Sequence, residues 1–89
     1  MKVWKYELRL TEVQTIPMPK GSTVLTAGSQ RGQLCIWVLV TDETAEQVHR
    51  TIVTVGTGHE IPKGYPVKHV GTVLLAGGNL VVHVFETPE

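Results

Sequence analysis

The residues with the clearest chemical potential in this chain are Gly56-Thr57-Gly58-His59. Two glycines flanking a hydroxyl residue let successive backbone N–H groups turn inward and form an anion-binding nest. Thr57 would add a hydroxyl donor and His59 a ring donor, so a phosphate or carboxylate suits the pattern. The stretch is not a P-loop, because the Lys-Ser/Thr pair and following helix are missing. Nor is it a Rossmann fingerprint, which needs G-x-G-x-x-G opening a helix. The competing account is a glycine bulge that bends a strand into the proline-rich loop behind it.

Two further residues could complete an anionic site. Arg50, with Lys5, Arg9, Arg31 and Lys68, would line one sheet face with positive charge, although a solvated face of mixed sign is the plainer outcome. Trp37 could stack on a base if its strand lies at an edge. His49, His59, His69 and His83 form no close metal-ligand pair, so no metal or other cofactor is expected. Cys35, between Leu34 and Ile36, reads as an inert core thiol. Asp42, Glu43 and Glu46 cluster in a loop-like segment that would position a general acid or base poorly. No catalytic residue is assigned, and a non-enzymatic role is expected.

Composition frames these candidates. Eighty-nine residues make one domain, spanning 1–89. Charged residues are 18%, below the roughly 25% of typical soluble domains. Some apolar surface is therefore expected to meet a second copy or a ligand, which favours a homo-oligomer. Lys+Arg and Asp+Glu are both 8, a balance that speaks against long nucleic acid as a partner. The single cysteine precludes an intrachain disulfide, and no stretch approaches a membrane span. A reducing, cytoplasmic setting follows as the expectation.

The elements that must hold these residues are strands. Apolar positions recur at period two and β-branched residues dominate the apolar runs. Val3–Leu10 alternates, with Trp4, Tyr6, Leu8 and Leu10 on one face. Val13–Ile16 forms a second strand that Pro17 and Pro19 should end. Thr23–Ser29 follows, and Arg31-Gly32 turns the chain into Gln33–Val40, which is apolar on both faces and so central. Thr41–Glu46 reads as either one helical turn or a solvent-facing loop. Gln47–Val55 alternates again. Gly56–Pro66 is irregular, and Val67–Leu75 pairs with Leu80–Phe85 around Ala76-Gly77-Gly78-Asn79. Of the aromatics Trp4, Tyr6, Trp37, Tyr65 and Phe85, most fall on strands and are expected in the core. The fold class is all-β: a small β-sandwich or partly closed β-barrel of six or seven antiparallel strands.

Four segments carry a family resemblance: Trp4-Lys5-Tyr6, Gln14–Gly21, Gly56-Thr57-Gly58-His59-Glu60-Ile61-Pro62 and Leu80–Glu86. Together they resemble a family of short bacteriophage and prophage proteins of undefined function. The resemblance implies a phage-encoded accessory protein acting by binding in the host bacterial cytoplasm, with no family site residues to transfer. An anti-defence protein that sequesters an anionic nucleotide signal is the leading expectation. The alternatives are a module that inhibits a host protein and a minor structural or assembly component of the phage.

Overall fold

The computed structural model describes residues 1–64 and 68–87. Seven strands follow one another: β1 (Lys2–Glu7), β2 (Val13–Pro19), β3 (Thr23–Gln30), β4 (Gln33–Val40), β5 (Gln47–Gly56), β6 (Lys68–Leu75) and β7 (Leu80–Glu86). They form two antiparallel sheets, ordered β1-β4-β3 and β2-β5-β7-β6. The sheets do not close into a barrel, and their arrangement fits the small β-sandwich of the expected all-β class. Tyr65, Pro66 and Val67 lie outside the described residues, and with them the end of the expected irregular segment and the expected start of β6.

Period-two alternation decides what is buried. Leu34, Ile36, Val38 and Val40 of β4 face the second sheet, where Ile16, Met18, Ile52, Val73, Val82 and Val84 meet them. β4 is central in its sheet, as its apolar run implies. The tight turn from β3 into it has Arg31 and Gly32 both at positive φ (53° and 77°), the geometry whose twist suits a two-residue hairpin. The β6–β7 hairpin turns through Ala76–Gly78, again at positive φ. β3 and β6 lie side by side where the two sheets meet. An added Cβ on Gly71 would come within 3.3 Å of the Ala27 backbone nitrogen, so glycine is what permits this approach. Both strands carry a register shift nearby, at Val24/Thr26 and His69/Gly71.

Several expectations are corrected. β2 does not stop at Ile16 but runs through both prolines to Pro19. It is an edge strand. Lys20 N–H donates to the Glu46 carbonyl and Thr54 N–H to the Glu12 carbonyl, so even-numbered positions face β5. Pro17 and Pro19 point their ring nitrogens off the edge, where no donor is needed. β1 ends at Glu7, and Leu10 is exposed. Thr41–Glu46 is a loop, in which the Asp42 carboxylate accepts from the Thr44 N–H (3.0 Å) and hydroxyl (2.6 Å). Trp37 and Phe85 lie on the outward sheet faces rather than in the core. Trp37 packs over Gly28, the cross-strand partner of Cys35, whose thiol is buried on that outer face.

One charge pair sits inside the sandwich. The Arg50 guanidinium meets the Glu86 carboxylate, both side chains about nine-tenths buried, and donates to the Ser22 carbonyl at 2.8 Å. The pair joins β5 and β7 to the turn between β2 and β3. Glu86→Gln leaves the guanidinium without its counter-charge and is expected to cost about 3 kcal/mol in urea unfolding, while Arg50→Met with Glu86→Leu should recover most of that. In the Thr41–Glu46 loop, the two bonds from Thr44 hold Asp42 below the usual aspartate value. A depressed folded-state value adds stability above the unfolded-state value and loses it as pH falls through the folded one. Thr44→Ala should raise the Asp42 titration, read by carboxyl NMR, toward the ordinary value.

Candidate functional site

β5 delivers the chain into a turn, and an open cleft of about 360 Å³ lies beside that turn. Three segments wall it: Leu10–Glu12 from the β1–β2 connection, Thr54–Gly56 with His59 and Glu60, and Leu80 with Val82 from β7. Polar side chains hold the first segment in place. Arg9 N–H donates to Gln14 Oε1 (3.1 Å), Gln14 Nε2 donates to the Arg9 carbonyl (2.8 Å), and Gln33 Nε2 donates to the Leu8 carbonyl (2.7 Å). The Thr54 N–H bond to the Glu12 carbonyl (2.9 Å) fastens that connection to β5.

The turn itself is Gly56–His59. His59 N–H donates to the Gly56 carbonyl (3.1 Å), and Gly58 has φ +85°, which is the third position of a type II turn. The His59 ring folds back over Gly56, where an added Cβ would lie 3.3 Å from Nδ1. This geometry does not build the nest expected from the two glycines. The His59 N–H is spent inside the turn. The Thr57 hydroxyl points to the outer face of the second sheet, where it meets His83 Nε2 at 2.8 Å.

The other two candidates do not join this site. Arg50 lies on the core face of β5, six residues before Gly56, and is engaged with Glu86 and Ser22. Trp37 belongs to the other sheet and to its central strand rather than an edge, with Lys5 and Thr26 as cross-strand neighbours. Sequence reasoning missed Thr54. It is 8% exposed, faces the sandwich interior, lines the cleft, and its hydroxyl has no hydrogen-bond partner. A buried hydroxyl left unpaired costs roughly 1–3 kcal/mol in protein mutational data. Its only sequence signal was a threonine at an inward position of an alternating strand, which is unremarkable until the register is known.

Two of the histidines do come together. His83 Nδ1 meets the Thr72 hydroxyl at 3.0 Å, and that hydroxyl meets His69 Nε2 at 3.1 Å. Thr57, His83, Thr72 and His69 thus form one chain of alternating hydroxyls and rings, and His69 also packs edge-on against Phe85 (5.4 Å). Each hydroxyl can donate in either direction, so neutral rings satisfy the chain in two opposite proton arrangements. Both His83 nitrogens are occupied by hydroxyls. Among the described residues, no three His, Cys, Asp or Glu side chains are grouped to hold a metal ion. No helix among them is long and apolar enough to cross a membrane.

The family model described as a domain of unknown function, DUF7352, matches residues 1–89. The chain belongs to that family. Both the sandwich and the cleft therefore lie within the DUF7352 unit. Neither a curated protein nor a solved structure matches the chain. The DUF7352 cleft is thus characterised by its own chemistry. Its apolar lining is Leu10, Val55, Leu80 and Val82, and its charged side chains are the carboxylates of Glu12 and Glu60. Thr54→Val, which swaps the orphaned hydroxyl for a methyl, is expected to leave the unfolding free energy in urea titration unchanged or raise it by up to about 1 kcal/mol. A loss of that size would instead reveal a partner for the hydroxyl.

Proposed function

We propose that this DUF7352 domain is a non-enzymatic binding protein that sequesters a small molecule in the cleft beside Gly56–Glu60. The observation that carries the reading is the buried, unpartnered Thr54 hydroxyl in a wall that is otherwise largely apolar. Native proteins rarely leave such a group orphaned, and a bound molecule would satisfy it. The volume of about 360 Å³ falls at the small end of ligand pockets. Glu12 and Glu60 accept hydrogen bonds and favour a molecule that offers N–H groups on an apolar body.

A nucleotide that presents its base to the cleft, with its phosphate outside, is the concrete version. Carboxylates accept from the N–H groups on a base edge, and apolar side chains cover its faces. The charge of the cleft speaks against a phosphate inside it. Likeness to short phage and prophage proteins supports an accessory, anti-defence role in the host cytoplasm.

Titration calorimetry with guanosine, guanosine monophosphate, cyclic dinucleotides and the adenine counterparts checks this, with spermidine as a plain cation. Binding of base-bearing compounds with or without phosphate is expected, weakened about tenfold by Glu60→Gln, in keeping with the strength of a hydrogen bond to a charged group. Thr54→Val should also weaken it while leaving the fold intact. Silence across all nucleosides and nucleotides, or binding of spermidine alone, would overturn the nucleotide version.

A further inference from the structure

The two sheets leave four strand edges, and three of them are blunted. β2 carries Pro17 and Pro19, while β3 and β6 lie against each other with a register shift in each. β1 is different. It is six residues long, free of proline, and pairs with β4 in unbroken register from Lys2↔Val40 to Glu7↔Cys35. Leu8 N–H donates to the Leu34 carbonyl, so even-numbered residues of β1 bond inward to β4. The N–H and C=O groups of Val3, Lys5 and Glu7 therefore face outward, and among the described residues no strand pairs with them. A regular open edge of this kind is a template for another strand.

We propose that β1 pairs antiparallel with β1 of a second copy, about a twofold axis at Lys5, joining two three-stranded sheets into one. The strand is complementary to itself about that residue. In this register Val3 faces Glu7 of the second copy, Lys5 faces Lys5, and all outward backbone groups of Val3, Lys5 and Glu7 find partners. Centring the axis on Trp4 leaves those of Glu7 without a β1 partner. Centring it on Tyr6 brings Val3 opposite Arg9, whose backbone N–H and C=O are already held by the Gln14 side chain.

Side chains agree with the same register. Trp4 and Tyr6 are half-buried neighbours on one face, with ring centroids 6.5 Å apart. The pairing sets Trp4 opposite Tyr6 of the second copy, twice, at the closely spaced positions where cross-strand side chains approach best. On the other face each Lys5 is flanked diagonally by Glu7 of the second copy, an opposite charge. The two Lys5 ammonium groups do not collide, because each reaches across β4 to Gln30 Oε1 (2.7 Å) on β3 of its own chain. Val3, 55% exposed in the single chain, is covered.

Native mass spectrometry and light scattering of the full chain test this. A species of twice 9.8 kDa is expected. Of the backbone groups, Lys5→Pro removes only an outward N–H, so it should weaken dimerisation at least tenfold while the β1–β4 ladder persists. Lys5→Cys gives an independent reading that needs no such tolerance. Two cysteines directly opposite in a hydrogen-bonded pair stand about 5.5 Å apart at Cα, within disulfide reach. Mild oxidation should cross-link Lys5→Cys but not Leu10→Cys, and the native Cys35 is buried. A monomer at sub-millimolar concentration, a dimer indifferent to Lys5→Pro, or a Lys5→Cys protein that stays uncross-linked would each overturn the proposal. So would a monomer that instead adds an extended peptide of another protein at β1.

Discussion

The Arg50–Glu86 pair ties together parts of the chain that nothing local would align. Buried charges are tolerated only when their counter-charge and hydrogen-bond partners stay in place, which makes the pair sensitive to register. It lies where Ile52 of β5 stands opposite Glu86 of β7, and Arg50 also reaches the Ser22 carbonyl in the turn after β2. A one-residue slip of β5 would send the guanidinium to the outer face and invert every side chain beyond it. With the register fixed, Thr54 and Gly56 face inward at the cleft, and Val53 faces out beside Phe85. The direction in which the Thr57 turn leaves the sheet follows. The chemistry of the cleft is thus set in part by a contact several residues away.

Much of the architecture was legible in the sequence because it depends on local periodicity. The alternation in Val3–Glu7 and Gln47–Val55, the doubly apolar run Leu34–Val40 and the Arg31-Gly32 and Ala76–Asn79 turns all appear where the residues place them. What was not legible depends on register or on strand order. Pro17 and Pro19 read as terminators because the sequence does not reveal that β2 is an edge with its odd positions turned outward. Arg50 read as a surface cation because its partner, Glu86, is thirty-six positions along the chain. Trp37 read as a candidate stacking platform only on condition of an edge, and its strand is central.

The candidate site shows the same division. Gly56, Thr57, Gly58 and His59 do build the turn beside the cleft, so the place was readable. The chemistry was not. Glycines flanking a threonine are compatible with both a nest and a type II turn, and the His59 N–H bond to Gly56 selects the turn. Thr57 then finds His83, a residue twenty-six positions away that no spacing rule connects to it. Glu12 and Glu60 acquire meaning only once the β1–β2 connection lies beside the end of β5.

The prolines of β2 have a consequence for the limits of growth. Strand-by-strand addition can propagate without end only if each molecule has two edges able to accept a neighbour. Here one sheet is sealed at β2 by two rings that offer no donor, and β3 and β6 cover each other. Only β1 stays receptive among the described strands, which gives each molecule a valency of one at its edges. Pairing at β1 as proposed would therefore end association through strands after a single event, and the weakly charged chain would not polymerise into a ribbon.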